Sequence, residues 1–119
     1  MNFRDKGERI AAEFLKRKGY QILAHNFKKR DFEIDLIARR KNLIVFVEVK
    51  RRVSSDFMDP IKGIDRKKRI NIIKGAKYFL LLNDLYNKTD VRFDAITISG
   101  YDEKIHHYED AFRVADPLT

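Results

Sequence analysis

The sequence predicts an α/β domain in which a mixed sheet is covered by helices on both faces, with the element order α-β-β-β-α-β-β. Three observations carry that prediction. Two stretches show apolar residues at helical spacing, and the segments between and after them alternate or run apolar as strands do. The strand around Val45 is apolar on both faces over its first half, which calls for a layer on each side of the sheet.

Taken in order, Gly7, Ile10, Ala11, Phe14, Leu15 and Lys18 recur at helical spacing and predict an amphipathic helix from Asp5 to Lys18, ended by Gly19. Tyr20 to Ala24 reads as a strand. Two further strands flank the polar Arg40-Lys41-Asn42; a two-residue turn at Lys41 and Asn42 pairs Arg40 with Leu43. Period two then puts Ile34, Leu36 and Ala38 on the face shared by Val45, Val47 and Val49, with Ile37, Ile44 and Phe46 opposite. Ser54 to Gly63 reads as a loop. From Asp65, an N-cap candidate, to about Asn83, the spacing of Ile70, Ile73, Ala76, Lys77 and Leu80 predicts a second, longer helix. Asn83 to Asp90 is turn-like, and Val91 to Ser99 and Lys104 to Tyr108 read as two strands joined around Gly100, Tyr101 and Asp102.

At 119 residues with 44% hydrophobic content, residues 1–119 form one domain with a core of its own. Lys and Arg number 26 against 18 Asp and Glu, a formal charge of +8, which favours a polyanionic partner with nucleic acid first among candidates. The absence of cysteine excludes disulfides, thiolate metal sites and a cysteine nucleophile, and fits the reducing cytoplasm. The longest apolar runs, Leu43 to Val47 and Tyr78 to Leu82, are too short to span a bilayer, and Met1 to Arg9 lacks the pattern of a secretory signal, so no membrane partner is expected.

The chemistry concentrates in Glu33, Asp35, Glu48, Lys50 and Arg52, which fall on neighbouring strands with spacing two. The turn register places Asp35 opposite Glu48 and Glu33 opposite Lys50, so two carboxylates lie side by side. Opposed like charges destabilise a strand pair, and a hard divalent cation is the economical remedy. The alternative is an exposed ladder in which Lys50 neutralises Glu33 and water solvates the remainder. Basic residues cluster at Lys28-Lys29-Arg30, Arg39-Arg40-Lys41, Lys50-Arg51-Arg52 and at Lys62 with Arg66, Lys67, Lys68 and Arg69. The last run opens a helix, where cations oppose the dipole, so a partner phosphate explains it better than helix stability. Acids gathered on an otherwise basic surface repel phosphate and make sense chiefly with a bound cation.

Other chemistry-bearing residues read as structural. His106 and His107 are adjacent on a strand and point to opposite faces, which argues against a paired metal ligand. Asp94 reads as a partner for Arg92 or for loop backbone, and Glu13 as a helix-surface partner of Arg9 and Arg17.

Glu33-Ile34-Asp35-Leu36-Ile37-Ala38 followed by Val45-Phe46-Val47-Glu48-Val49-Lys50-Arg51-Arg52 resembles the core signature of the YraN-like family of small bacterial proteins, within the PD-(D/E)XK, or restriction-endonuclease-like, superfamily. Gly7-Glu8, Ala11, Phe14-Leu15, Gly19-Tyr20 and Asn26 are similar to its opening, and Phe57, Pro60, Ile64, Lys68, Ala76, Arg92-Phe93-Asp94 and Ala111-Phe112 fall at similar relative spacings. Two departures stand out: Phe32 where the family usually has glycine before Glu-Ile-Asp, and Ile34 where the superfamily's proline stands.

The resemblance implies a restriction-endonuclease-like fold and a Mg²⁺ (or Mn²⁺) dependent endonuclease acting on DNA. Asp35 and Glu48 would ligate the metal, with the Val49 carbonyl, and Lys50 would be the active-site lysine. Glu8 would correspond to a first-helix glutamate similar to one in Holliday-junction resolvases, holding a second ion or a water; its alternative is a first-turn glutamate serving the helix dipole. Arg30, Arg52, Arg66, Lys67, Lys68 and Arg69 would meet the nucleic-acid backbone, with Glu33 in support. Resolvase-like action on a symmetric junction needs two active sites and so implies a homodimer. Against the nuclease stand a noncatalytic nucleic-acid-binding module of the same fold and a small rRNA or assembly factor, the latter giving no reason for aligned carboxylates.

Overall fold

The computed structural model describes residues 2–52 and 64–114. Its elements are α1 (Lys6–Arg17), β1 (Gln21–Lys29), β2 (Phe32–Arg40), β3 (Leu43–Arg52), α2 (Arg66–Leu82), β4 (Asp90–Ser99) and β5 (Lys104–Phe112). The order is α-β-β-β-α-β-β, as the periodicities require. The five strands form one sheet in chain order, antiparallel at β1–β2, β2–β3 and β4–β5 and parallel at β3–β4. A helix lies on each face: Ile44 and Phe46 of β3 pack with Ile72, Ala76 and Phe79 of α2, while Val45 and Val47 pack with Ala11, Ala12 and Leu15 of α1. This mixed sheet between helices is α/β and is consistent with a restriction-endonuclease-like fold. The expected loop from Ser54 to Gly63 lies outside the described residues.

Both helices start and stop where local chemistry requires. The Asp5 carboxylate accepts from Glu8 N at 3.0 Å, and Asp65 from Lys68 N at 2.8 Å, caps worth about 1 kcal/mol each. Gly19, at φ 91, closes α1 in a conformation that glycine adopts without steric cost. At the other end of α1 a Cβ on Gly7 would meet the Arg51 Cβ at 3.2 Å, so the first turn of α1 rests against the end of β3. That approach puts Glu8 beside the charged end of β3.

Three sequence expectations change. β1 runs on past Ala24 to Lys29, because a two-residue turn at Arg30 and Asp31 lets Lys29 pair with Phe32. β5 likewise runs past Tyr108 to Phe112, whose ring stacks on Phe93 at 5.0 Å; a register shift opposite Phe93 and Ala95 and a positive φ at Asp110 interrupt the alternation that would have revealed it. Ile34 does not share a face with Leu36 and Ala38: it packs under α2, where its Cδ1 and the Phe32 ring fill the space beside Gly75. Here the chain turns over between Ile34 and Leu36, at the level of Asn26 on β1, which has φ 49. Hydrophobic periodicity cannot encode a positive φ, although Asn is among the side chains that tolerate one. Asp35 sits at the turnover.

Candidate metal centre and basic pocket

The β2–β3 ladder has the expected register, Arg40 facing Leu43 across a turn with Lys41 at φ 55, but its pairing ends at Leu36 and Val47. Asp35 with Glu48, and Glu33 with Lys50, are therefore not ladder pairs. Beyond Val47 the Asp35 carboxylate replaces the missing main chain, its Oδ2 accepting from Val49 N at 2.8 Å. A strand residue sends its N–H and C=O to the same edge, so the Val49 carbonyl also faces the opening between β2 and β3.

Glu48 is almost wholly buried, at 6% exposure, and carries an ion pair with Lys68 from the first turn of α2. A carboxylate so placed needs a counter-charge. Burial, then the neighbouring Glu48 charge, push the Asp35 carboxyl up to about 8 despite the Val49 hydrogen bond. Burial, with the charges of Asp5, Glu33 and Glu48, pushes Glu8 up to about 7. Lys50 is held below the ordinary lysine value by burial and by Lys68, with Glu48 acting the other way. Lys68 is raised: burial disfavours its charge, and contact with Glu48 outweighs that. Asp35, Glu48, Lys50 and Glu8 thus form one electrostatic unit, brought from β2, β3 and the start of α1.

This donor set fits one hard cation. Two carboxylates from different strands, one of them costly to ionise without a positive neighbour, plus a backbone carbonyl are all oxygen donors, and magnesium keeps several waters beside one or two carboxylates. Among the described residues no three His, Cys, Asp or Glu side chains gather closely enough to share an ion. Glu8 feels the charges of Glu33 and Glu48 from the start of α1.

The basic residues divide. Lys28, Lys29 and Arg30, at the tip of the β1–β2 hairpin, line a pocket of about 300 Å³ together with Glu33, Lys68 and Asn71. Lys68 forms the wall between that pocket and Glu48. Arg52, Arg66 and Lys67 are exposed, whereas the Arg69 Nε is buried without a hydrogen-bond partner among the described residues. Arg39-Arg40-Lys41 stand at the far end of β2, where Arg40 lies 4.4 Å over the Tyr20 ring and donates to Lys18 O; they do not join this surface. Asn71 and the Lys68–Glu48 pair escaped the sequence reading. Only the uneconomical cation run at the helix start signalled them.

A second polar cluster lies on the α1 side of the sheet. The fully buried Asp94 accepts from Arg92 Nε and Nη2 at 2.8 Å each, from His107 Nε2 at 2.7 Å and from Asp110 N at 2.9 Å. Lys18 Nζ, 2.8 Å from His107 Nδ1, can only donate there, so Nε2 carries the proton that Asp94 receives. Arg92 also donates to the Tyr20 hydroxyl. Burial alone would raise Asp94; the bonds from His107, Arg92 and Asp110 outweigh it and hold the carboxyl below its ordinary value. Asp94 is the partner of Arg92 that its sequence position implied, the backbone it meets being Asp110 N of β5 rather than a loop, and Glu13 lies 3.9 Å from Arg9.

No helix among the described residues is long and apolar enough to cross a membrane. Comparison with known proteins places the chain in a family. A UPF0102 protein of Clostridioides difficile is 40% identical over 108 residues, covering 91% of this chain and 94% of its own length. One from Thermodesulfovibrio yellowstonii is 42% identical over 107 residues, 90% of this chain and 92% of that protein. One from Caldanaerobacter subterraneus is 44% identical over 99 residues, 83% and 80% of the two chains. The model of Uncharacterised protein family UPF0102 matches residues 7–98, a span holding Glu8, Asp35, Glu48, Lys50 and Lys68. The chain belongs to the UPF0102, or YraN, family.

Proposed function

We propose that this protein is a metal-dependent endonuclease that hydrolyses phosphodiester bonds in DNA, with selectivity for branched structures. The observation that carries the reading is the opening between β2 and β3, where Asp35 accepts from Val49 N and stands close enough to Glu48 and Lys50 to feel their charges; the Val49 carbonyl faces the same opening. These three groups would hold Mg²⁺ or Mn²⁺. When bound, the ion supplies charge neutralisation for the scissile phosphate and eases deprotonation of water. Lys50, its proton loosened by burial and by Lys68, orients or deprotonates the attacking water and meets the charge that develops on phosphate. Glu8 holds a water at the edge of the site. Arg30, Arg52, Arg66, Lys67, Lys68 and Arg69 supply backbone contacts without sequence information, and Glu33 tempers the charge of the hairpin pocket. A cytoplasmic location suits the cysteine-free sequence, and a homodimer suits a symmetric junction.

A second reading, a noncatalytic nucleic-acid-binding module, is favoured by one observation: Glu48 already carries an internal counter-ion in Lys68. The two separate cleanly. Single-stranded, duplex, flap and four-way-junction DNA should be incubated with Mg²⁺ or Mn²⁺ and wild type, Asp35→Asn, Glu48→Gln and Lys50→Met. A nuclease cleaves at least one substrate, loses cleavage in all three variants and retains binding. Binding with no cleavage of any substrate leaves the module.

A further inference from the structure

Lys68 stands at N3 of α2, counting from the Asp65 cap, a position that the helix dipole makes favourable for an acid and unfavourable for a cation. Its place is explained by two things it touches from the same wall: the buried Glu48 carboxylate and the hairpin pocket. That pocket presents Lys28, Lys29, Arg30 and Lys68, four cations, against the carboxylates of Asp31 and Glu33, and so suits a phosphate. The Lys68 side chain is 44% exposed, which leaves its four-carbon stem room to rotate. An ammonium in contact with Glu48 Oε1 occupies that oxygen and repels a divalent ion brought to the same carboxylate, so the two compete for it.

Resting on the metal reading above, we propose that Lys68 is a cation shared between two subsites: it holds the place of the divalent ion on Glu48 and, when the ion takes that carboxylate, turns into the hairpin pocket to hold a phosphate of the nucleic acid beside the scissile one. Metal and nucleic acid then bind with positive coupling, each raising the affinity for the other by the same factor. The arrangement also orders events. The phosphate pocket is complete only once the metal is in place, and the buried carboxylate is never left without a positive partner.

Mn²⁺ titration calorimetry without nucleic acid tests the first half, on wild type, Lys68→Met and Lys74→Met, the last removing an exposed α2 charge elsewhere. Loss of the competing ammonium should tighten Mn²⁺ binding by about tenfold in Lys68→Met, and Lys74→Met should match wild type. Fluorescence anisotropy of a short labelled single-stranded DNA, in Ca²⁺ and in EDTA, tests the second half. Wild type should gain about tenfold in affinity with Ca²⁺ and Lys68→Met less than about threefold. Equal or weaker Mn²⁺ affinity in Lys68→Met, or an undiminished Ca²⁺ gain, overturns the proposal while leaving the metal centre standing. No Mn²⁺ heat in any of the three proteins overturns the metal centre, and the proposal with it.

Discussion

Asp35→Asn should make the metal-free protein more stable while abolishing its metal binding. The Asp35 carboxyl is raised to about 8, so the folded protein keeps a proton there that the unfolded chain releases at neutral pH. Stability linked to that proton is fully present below the ordinary aspartate value and is lost as pH rises towards about 8. At about 1.4 kcal/mol per pH unit, the cost at pH 7 has a ceiling of about 4 kcal/mol. Relaxation around the coupled pair and entry of water reduce the expected gain from Asp35→Asn to about 1–2 kcal/mol. Asparagine keeps an oxygen that can accept from Val49 N, so the local hydrogen bond survives. Urea unfolding in EDTA at several pH values measures the gap between variant and wild type, which should shrink as pH falls from 7 towards 4. Mn²⁺ calorimetry on the same two proteins, folded and freed of EDTA, should give heat for wild type alone. A variant less stable than wild type at pH 7, or a gap that does not change with pH, refutes the reasoning.

Asp94→Ala should cost about 3–5 kcal/mol in urea unfolding, because it leaves the Arg92 charge and the His107 N–H without their buried acceptor. Since the Asp94 carboxyl lies below its ordinary value, the stability it confers is present at neutral pH and is lost as pH falls through its folded value; the penalty should narrow in acid. Gly75→Ala would ordinarily gain about 1 kcal/mol in a helix, but its Cβ would stand 2.6 Å from the Phe32 ring and 2.9 Å from the Ile34 Cδ1. Overpacking of about 1–3 kcal/mol should reverse the sign, and Phe32→Ala in the same chain should restore the gain, as thermal melts will show. DNA affinity should fall steeply with salt, and Arg66→Gln and Lys67→Gln should each lower the magnitude of that slope by about one if they meet phosphate.

What was legible in the sequence follows the range of the forces involved. Asp5, Gly19 and Asp65 act on their own helix ends, and Lys41-Asn42 sets the register of its own hairpin, so short spacings disclosed them. The separation of β2 from β3 beyond Leu36 was not legible, because it coincides with a positive φ at Asn26 in a different strand and with Ile34 packing under α2, neither of which a local pattern in β2 records. The same limit explains the site. Asp35, Glu48 and Lys50 announce themselves by alternation along two adjoining strands, whereas the Lys68 contact with Glu48 depends on how α2 lies across the sheet, which no local pattern records. Nor could spacing show that Arg39-Arg40-Lys41 would be taken up by Tyr20 and the end of α1.

Helix α1 is anchored at both ends: Gly7 rests on Arg51 beside the acids, and Lys18 joins the buried group of His107, Asp94 and Arg92. Twelve residues at 1.5 Å each make a stiff rod of about 18 Å between them. Slack introduced at the histidine end will therefore be felt at Glu8 as a displaced carboxylate. On the nuclease reading, a mutational screen scored on cleavage alone would then list His107 and Arg92 beside Lys50 although both stand in the cluster around Asp94; their variants should regain function under conditions that stiffen the fold, such as added osmolyte.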